Sequence, residues 1–433
     1  MKIENESDVN GKVGIIGLGF VGLPLAFTII RKGFRVIGID LDESKTMKLN
    51  NGKSYIQDID DEEIQIAIDS GALIVSNNYS DLREADSIII CVPTPLTPRH
   101  TPDLSYLMDT CNRLFPLLRK GQLVILESST YPGTTVEVVK PLIERSGLKV
   151  GKHIFIAYSP ERIDPGNKLS IREIPKVVSG VTEHCLAKVS HLYRQIFDRI
   201  VPVSTTQAAE TTKLLENTFR LINISFINEF AQMCDRMSLD VWEIIDAAST
   251  KPYGFTAFYP GPGVGGHCIP VDPLYLQWKA RAYGIESQFI NLSHQVNITM
   301  PAYILELIQS QFRSSGSLSE MNILLYGVAY KKDTPDARES PAIALIQSLI
   351  EEGARVTYHD PYVPLLSLDH TIMSSVEITE NMLSSMDCVV ILTDHTQAPL
   401  ASILKYAPLV FDIRNATKGM KSDAKIIKLG GGH

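Results

Sequence analysis

Short apolar runs alternate with helical stretches over the first 200 residues of the chain. Runs of this kind predict strands that are buried on both faces, and their alternation with helices is typical of a parallel α/β sheet. Most of the runs end in a loop rich in polar residues or glycine. The predicted strands are residues 13–17, 35–39, 87–92, 123–127, 154–158 and 176–179.

Between about residues 205 and 312 the pattern changes to long helices. Residues 205–236 contain no proline or glycine and carry a broad apolar face, formed by Leu214, Leu215, Phe219, Ile222, Phe226 and Phe230. A helix with more apolar surface than one domain needs is expected to connect domains and to form a dimer contact. Further helices are predicted at 241–248, 274–282 and 290–310, and the Ser- and Gly-rich segment 313–319 predicts a linker.

The opening pattern recurs near the end of the chain. Residues 323–327 are similar to 13–17, and residues 351–360 are similar to 31–40. The predicted fold class is therefore α/β, with two Rossmann-like doubly wound domains joined by a central helical segment that contains one long helix. We expect the domains to span residues 1–204, 205–312 and 320–433.

The first predicted strand runs into a glycine turn that indicates a dinucleotide site. Gly17, Gly19 and Gly22 follow the pattern G-x-G-x-x-G between a strand and a helix, and Asp40 ends the next strand. The glycines allow pyrophosphate to approach the helix N-terminus, and the acid suits a ribose 2′-hydroxyl, which favours NAD over NADP. The remaining predicted cofactor contacts lie in this turn and in the loop after the third strand, at Phe20, Val21, Pro93 and Thr94.

A second glycine-rich segment, GPGVGGHCIPVDP at 261–273, places Cys268 on a loop with Asp272 four residues later. A thiol presented in this way suits a nucleophile with a carboxylate beside it, and a small buried thiol in a tight turn is the alternative. Thr130 and Glu161 follow predicted strands, where they are either site residues or hydrogen-bonding caps. Lys213 and Asn217 lie one turn apart on the long helix.

The second Rossmann-like domain lacks a complete glycine fingerprint. Its first turn carries Lys331, Lys332 and Arg338 instead, which predicts phosphate held by side-chain cations, with a solvated basic loop as the alternative. Asp360 either binds a ribose or caps a strand end. Arg414 is expected to lie in the last strand and to contact phosphate.

Composition excludes several other classes of protein. The net charge of −8 argues against nucleic acid as a partner, and the six cysteines show no C-x-x-C pair or spacing that indicates zinc or disulfides. No run of apolar residues is long enough to cross a membrane. We therefore expect no metal, no nucleic-acid partner and no membrane partner, and a cytoplasmic location.

Taken together, these motifs resemble the UDP-glucose/GDP-mannose dehydrogenase family. The resemblance extends over nearly the whole chain, in GLGFVG (17–22), CVPTP (91–95), the loop at 129–134, SPER (159–162), ETTKLLENTFR (210–220), GPGVGGHCIPVDP and YKKDTPDARESP (330–341). It implies oxidation of the C6 alcohol of a UDP-sugar to a carboxylate with two NAD+, and a homodimer formed through the long helix.

The resemblance also implies residue roles. Cys268 would be the thioester nucleophile, with Asp272 ordering the reacting hydroxyl and water. Lys213 and Asn217 would hold the C6 oxyanion, Glu161 would be the base for thioester hydrolysis, and Thr130 would hold a water. Lys331 would pair with the UDP phosphates and Arg338 would reach toward the cofactor; the other expected substrate contacts are Arg162, Tyr259, Gly265, His267 and Arg414.

Two departures from the glucose-specific branch bear on the sugar. After SPE, this chain continues with Arg162-Ile-Asp-Pro-Gly-Asn167, where the glucose-specific branch has a different sequence. Around the nucleophile, His267 and Val271 stand where that branch commonly has other residues. Both features resemble the branch that acts on UDP-N-acetylhexosamines. They favour oxidation of UDP-N-acetylglucosamine to UDP-N-acetylglucosaminuronic acid for surface polysaccharide synthesis, with UDP-N-acetylmannosamine, UDP-N-acetylgalactosamine and UDP-glucose open. A single-step NAD-dependent hydroxyacid or sugar-phosphate dehydrogenase and a non-catalytic NAD-binding regulator are the rival interpretations.

Overall fold

The computed structural model describes residues 11–56, 59–162, 171–312, 317–369 and 371–432. The chain divides into two compact units, Met1–Glu216 with Leu274–Gly284, and Asn217–Pro273 with Ile285–His433. Part of the predicted linker, residues 313–316, and part of the segment after SPER, residues 163–170, lie outside the described residues.

The first unit contains an eight-stranded sheet in the order β3-β2-β1-β4-β5-β6-β7-β8. The strands are β1 Lys12–Ile16, β2 Arg35–Ile39, β3 Leu73–Ser76, β4 Ser87–Ile90, β5 Leu123–Leu126, β6 Phe155–Tyr158, β7 Lys176–Gly180 and β8 Ile200–Pro202. The helices are α1 Gly22–Ile30, α2 Glu43–Asn50, α3 Asp61–Asp69, α4 Ser105–Leu114, α5 Lys140–Glu144 and α6 Glu183–Ile196. The strand order, with β1 at the centre and connections that reverse on either side of it, is that of a doubly wound fold.

Alternate residues of β1 enter different cores because successive side chains of a strand point to opposite faces. Val13 and Ile15 pack into one apolar cluster, and Ile16 packs into the other. Both faces of the sheet are therefore buried, which explains the nearly continuous apolar runs in the sequence.

One pairing differs from the all-parallel sheet that the sequence predicts. Strand β7 runs antiparallel to β6, with Ala157 opposite Gly180 and Tyr158 opposite Ser179. An apolar run alone does not specify strand direction, because parallel and antiparallel strands can carry the same run of apolar residues. The two short strands β3 and β8 were also not predicted.

Helix α7, Thr206–Met237, is 32 residues long and continues from one unit into the other, with the division between Glu216 and Asn217. It is followed by α8 Val241–Ser249, α9 Asp272–Arg281 and α10 Gln288–Gln311. In the second unit, Ile227, Ala231 and Cys234 of α7 belong to the same core cluster as residues of α8 and α10.

The second unit contains a five-stranded parallel sheet in the order β10-β9-β13-β14-β15 and a two-stranded sheet β11-β12. The strands are β9 Asn322–Tyr326, β10 Arg355–His359, β11 Leu365–Ser367, β12 Ile372–Ser374, β13 Cys388–Ile391, β14 Leu409–Asp412 and β15 Lys425–Lys428. The helices after α10 are α11 Pro341–Glu351, α12 Glu380–Ser385 and α13 Leu400–Tyr406. Two Rossmann-like sheets with helical segments between them confirm the predicted fold class.

Candidate active site

The glycine turn of the first unit has a shape that fits a dinucleotide. A Cβ on Gly22 would lie 1.8 Å from the carbonyl oxygen of Gly17, so only glycine allows α1 to pack this closely on the turn. Gly17 itself has φ 91°, and a Cβ there would lie 2.7 Å from the carbonyl oxygen of Cys91. A Cβ on Gly19, by contrast, would meet no atom of the described residues within 4 Å. The middle glycine therefore leaves open space at the N-terminus of α1, where pyrophosphate binds in such folds.

Asp40 lies at the carboxyl end of β2, as the sequence predicts. Its carboxylate accepts hydrogen bonds from the amides of Leu18, at 2.9 Å, and Asp42, at 2.9 Å. These bonds fix the acid against the glycine turn, in the position from which it could also accept a ribose hydroxyl. Val21 precedes the first residue of α1 and the Phe20 side chain is exposed.

The loops after β4 and β5 are joined through side chains. Thr94 Oγ1 donates to the carbonyl of Ser129 at 2.5 Å, and Ser128 Oγ donates to the carbonyl of Val92 at 2.7 Å. Thr130 is fully buried, and its hydroxyl has no hydrogen-bond partner among the described residues. A buried hydroxyl in this state suits a water or a ligand group, consistent with the water-holding role expected of Thr130.

Glu210 of α7 anchors the Thr130 loop. Its carboxylate accepts from the amides of Gly133, at 2.5 Å, and Thr135, at 2.8 Å, and from Thr135 Oγ1 at 2.6 Å. Burial raises the pKa of Glu210 to about 7 despite these donors. The bonds hold the loop that carries Thr130 to α7.

Glu161 lies in a buried charged cluster after β6. Its carboxylate accepts from Lys176 Nζ at 2.5 Å, and the same ammonium donates to Glu127 at 2.9 Å. Burial alone would raise the pKa of Glu161, but the nearby Lys176 and Lys213 ammonium groups hold that pKa below its ordinary value. Glu161 is therefore an ionised carboxylate that can accept a proton, as a base requires. Lys213, from α7, is itself buried and interacts with Glu161 across this cluster.

Arg162 does not extend freely into solvent. Its guanidinium forms an ion pair with Glu216, at 2.6 Å, and donates to the carbonyl of Pro175 at 2.9 Å. The structure thus places this predicted substrate residue in a contact between the SPER loop and α7.

In the second unit, two asparagines hold the glycine-rich loop. Asn228 Oδ1, on α7, accepts from the amide of Gly261 at 2.8 Å, and Asn297 Oδ1, on α10, accepts from the amide of Val264 at 2.6 Å. A Cβ on Gly265 would lie 2.5 Å from the carbonyl oxygen of Glu339, so the loop packs directly on the cationic turn that follows β9. All six cysteines lie in the described residues, and Cys268 at the end of this loop is the one that is exposed.

Asn217 and Asp272, two predicted site residues, are brought together in the second unit. Asn217 Nδ2 donates to Asp272 Oδ2 at 2.6 Å, and both side chains are buried. The amide of Asp272 donates to the carbonyl of Cys268 at 2.9 Å. The backbone of Cys268 and the side chains of Asp272 and Asn217 are therefore linked by hydrogen bonds in the second unit.

The cationic turn lies beside the thiol. Arg338 donates to Asp336 through Nε at 2.9 Å and through Nη2 at 2.5 Å. These hydrogen bonds raise the pKa of Arg338, and Cys268 contributes to the rise by a smaller electrostatic interaction. Burial, and then the charge of Arg338, lower the pKa of His267, so the imidazole is neutral at neutral pH. Lys331 precedes these residues in the same turn and is partly buried.

Asp360 serves as a strand-end cap. One carboxylate oxygen accepts from the amides of Val328, at 2.8 Å, and Ala329, at 2.9 Å, and lies 3.1 Å from Nε2 of His395. The other oxygen accepts from the amides of Tyr362 and Val363. With these partners and 2% exposure, Asp360 stabilises the turn after β9, which favours the cap over the ribose interpretation.

The expected position of Arg414 is wrong in one respect. It lies in the turn after β14, not within the last strand, because β14 ends at Asp412 and β15 follows at Lys425–Lys428. Asp412 ends the strand by accepting from the amides of Arg414, Ala416 and Thr417. The Arg414 guanidinium contacts Gly261, where a Cβ would lie 2.4 Å from Nη1. Tyr259, another predicted substrate residue, is exposed and stacks on Trp242 with ring centroids 6.0 Å apart.

Sequence reasoning missed the residues that support the reacting groups, above all Lys176, Glu127, Asn228 and Asn297. One signal was present, because Glu210, Lys213, Asn217 and Asn228 of α7 lie on one side of the helix. Polar groups that become buried require partners. Lys176 carried no such signal, since a lysine at the start of a strand is ordinarily exposed.

The sequence matches three models of the UDP-glucose/GDP-mannose dehydrogenase family. The NAD-binding domain matches residues 11–197, the central domain matches residues 207–299 and the UDP-binding domain matches residues 324–419. The chain therefore belongs to this family, and it is an NAD-dependent nucleotide-sugar dehydrogenase with a UDP-sugar as its substrate. The residues around Gly19 fit the NAD that the first of these domains binds.

Known relatives resemble the chain over most of its length. The UDP-N-acetyl-D-glucosamine 6-dehydrogenase of Pseudomonas aeruginosa is 36% identical over 81% of this chain and 83% of its own. A UDP-N-acetyl-D-mannosamine dehydrogenase of Methanococcus maripaludis is 33% identical over 89% of this chain and 86% of its own. The solved structure of UDP-D-ManNAc dehydrogenase from Pyrococcus horikoshii superposes with a TM-score of 0.88, at 32% identity, over 97% of this chain and 99% of that one.

Among the described residues, no helix is long and apolar enough to cross a membrane.

Proposed function

We propose that the protein oxidises the C6 alcohol of a UDP-N-acetylhexosamine to a carboxylate, in two steps that share Cys268. The observation that carries this proposal is the exposed thiol at the end of a rigidly held glycine loop, bonded through its backbone to Asp272, whose carboxylate is in turn held by Asn217. A single alcohol oxidation has no use for a thiol, whereas oxidation of an aldehyde does.

The residues around Gly19 would hold NAD, which, when bound, would supply the hydride acceptor for each of the two oxidations. In the first, the C6 hydroxyl loses its proton and C6 loses a hydride, which gives an aldehyde. The Cys268 thiolate then adds to the aldehyde carbon, and the resulting thiohemiacetal loses a second hydride to a second NAD+ and becomes a thioester. Water cleaves the thioester, which releases the carboxylate and returns the thiol. Overall, one alcohol, one water and two NAD+ give one carboxylate, two NADH and three protons.

The roles of the other residues follow from their chemistry. Lys213 and Asn217 are proposed to donate to the C6 oxygen as negative charge develops on it, and Asp272 is proposed to order the hydroxyl and the water. Glu161, kept ionised by its lysine partners, is proposed to take a proton from the hydrolytic water that Thr130 helps to hold. Lys331 is proposed to pair with the UDP phosphates, and Arg338 to reach toward the cofactor. The other proposed substrate contacts are Arg162, Tyr259, Gly265, His267 and Arg414.

For the sugar, we propose UDP-N-acetylglucosamine. The residues after SPE and around Cys268 support an N-acetylhexosamine, and the 36% identical relative from P. aeruginosa is named for this substrate. UDP-N-acetylmannosamine is the second candidate, because the relatives from M. maripaludis and P. horikoshii carry that name. The product would be a uronic acid donor for surface polysaccharide synthesis in a reducing cytoplasm, where six free thiols are expected to persist.

We also propose a homodimer formed through α7 and three functional domains at 1–204, 205–312 and 320–433. An exposed apolar stripe on α7 supports the dimer, since Phe219, Phe226, Met233 and Met237 are each at least half exposed and share one helix face. The three family models, which match separate segments, support the domain division.

A substrate panel tests the sugar. We expect kcat/KM to be highest with UDP-N-acetylglucosamine among the UDP derivatives of N-acetylglucosamine, N-acetylmannosamine, N-acetylgalactosamine and glucose. A preference for the mannosamine derivative would move the assignment to the second candidate. A preference for UDP-glucose would overturn the N-acetylhexosamine proposal.

A further inference from the structure

The reversed strand β7 brings a lysine to the catalytic edge of the first sheet. In a parallel strand, the first residue lies at the edge away from the ligand. Because β7 is antiparallel to β6, with Tyr158 opposite Ser179, the chain three residues past Tyr158 meets the chain three residues before Ser179. Those two residues are Glu161 and Lys176.

Lys176 is shared between two carboxylates. Its Nζ lies 2.5 Å from Glu161 Oε2 and 2.9 Å from Glu127 Oε2, and the three side chains are 4%, 5% and 0% exposed. Tyr193, from α6, donates its hydroxyl to the other oxygen of Glu127. The cluster thus holds two buried carboxylates against one ammonium, at the end of three adjacent strands.

Burying these charged groups costs free energy unless each of them keeps its partner. Without the ammonium, Glu127 and Glu161 would be two buried carboxylates close together, and like charges in such a site cannot both ionise. One of them would then take up a proton. A protonated Glu161 could not act as a base.

We propose that Lys176 is a positioning residue for thioester hydrolysis. Lys176 keeps Glu161 ionised and oriented, and Glu127 and Tyr193 hold Lys176 in place. This inference rests on the proposed role of Glu161. No catalytic contact is assigned to Lys176, which is buried behind the carboxylate that it orients.

Several charged and titratable groups face Glu161. They are Lys176 from β7, Lys213 from α7, Glu127 after β5, Tyr193 from α6 and Cys91 after β4, and the amide of Arg162 donates to the Glu161 carboxylate at 2.6 Å. Burial keeps Cys91 and Tyr193 neutral by raising the pKa of each well above its ordinary value. Lys176 and Lys213 therefore oppose the charge of Glu127. Lys176 is hydrogen-bonded to both carboxylates.

The test is to follow hydrolysis separately from oxidation in Lys176→Met, with Lys176→Arg as the matched variant that keeps the charge. We expect Lys176→Met to release two NADH per active site rapidly and then to turn over at about 10²-fold below the wild-type rate, or more slowly still. The acyl-enzyme on Cys268 should then be visible by intact-protein mass. In the pH–rate profile of hydrolysis, the acid limb of Lys176→Met should move to higher pH by about 1 unit or more. Lys176→Arg should restore most of the rate and the normal acid limb.

Glu127→Gln provides an independent readout. Burial raises the pKa of Glu127 to about 7, so Glu127 is already neutral where Glu161 takes up its proton, and glutamine keeps an acceptor for Lys176. The acid limb should therefore stay near its wild-type position in Glu127→Gln, whereas a purely structural role for the cluster predicts the same loss in Glu127→Gln as in Lys176→Met. This variant also keeps the inference falsifiable if Lys176→Met does not fold.

Glu161→Gln separates the two levels of the proposal. If Glu161→Gln accumulates acyl-enzyme but Lys176→Met hydrolyses normally at an unshifted acid limb, the inference about Lys176 is overturned. An acid limb in Glu127→Gln that rises as far as in Lys176→Met would overturn it as well. If Glu161→Gln itself accumulates nothing and hydrolyses at the wild-type rate, the proposed role of Glu161 fails instead.

Discussion

Gly19 and Gly22 lie three residues apart in the same turn, yet their substitution by alanine should have opposite consequences. A Cβ on Gly22 would lie 1.8 Å from the carbonyl oxygen and 3.0 Å from the carbonyl carbon of Gly17, which are backbone atoms and not the end of a flexible side chain. We expect Gly22→Ala to destabilise the free protein by about 1–3 kcal/mol or more, as overpacking does.

Gly19→Ala should leave the fold intact and weaken cofactor binding. Its Cβ would meet no atom of the described residues, and Gly19 does not have a positive φ, so the free protein should be unchanged or more stable by about 0.4–1 kcal/mol. The methyl group would, however, occupy the space expected for pyrophosphate. If the Kd for NAD+ rises 100-fold, the stabilisation at a concentration of 100 times the wild-type Kd falls from about 2.7 kcal/mol to about 0.4 kcal/mol.

Thermal unfolding with and without NAD+ measures both effects. At about 2–4 °C per kcal/mol, the wild-type protein should gain about 5–10 °C with NAD+, and Gly19→Ala should gain about 1–2 °C. Gly22→Ala should already unfold early without NAD+. The reasoning would be refuted if Gly19→Ala lowered the melting temperature of the free protein as much as Gly22→Ala, or kept the full shift with NAD+.

Three further outcomes are expected. Glu210→Ala removes the acceptor of three buried donors and should lower the free energy of unfolding, measured in urea, by about 2–4 kcal/mol. It should also lower kcat, because the Thr130 loop is released. An unchanged urea midpoint and an unchanged kcat would contradict the anchoring role. The pKa of Glu210 rises from 4.5 to about 7 on folding, so the folded state retains a proton that the unfolded state loses between these pH values. The free energy of unfolding, compared with that of Glu210→Gln, should therefore fall as pH rises from 4.5 to 7. An increase over this pH range would show that the sign is wrong. Phe226→Glu on the exposed stripe of α7 should shift the sedimentation coefficient from dimer to monomer, whereas the same change at exposed Ile66 on α3 should not.

Much of the fold could be predicted because its signals are local. The apolar runs at β1, β2 and β5 lie within a residue of their predicted positions, and α7 was predicted at 205–236 and found at Thr206–Met237. These elements are buried on both faces or carry a long unbroken apolar face, so their periodicity is strong.

Strand direction and the partners of buried charges could not be predicted, because both depend on contacts distant in sequence. Nothing in the apolar run at 176–179 indicates that β7 reverses, and the reversal is what brings Lys176 to Glu161. Glu127 likewise ends a strand in the sequence without any sign that it shares a lysine 49 residues away. The glycine turn after β1 could be predicted because its three glycines follow a fixed spacing between a strand and a helix. Cys268 became a candidate through the set of motifs around it, since a lone cysteine in a tight turn is as easily structural.

The central claim is that one enzyme oxidises C6 twice through Cys268, and the most direct measurement is the number of NADH released per UDP-N-acetylglucosamine consumed by wild type and by Cys268→Ser. We expect two NADH per sugar for wild type, with turnover to the carboxylate lost in Cys268→Ser. One NADH per sugar, with Cys268→Ser fully active, would contradict it and would make the protein a single-step dehydrogenase in which Cys268 has no chemical role.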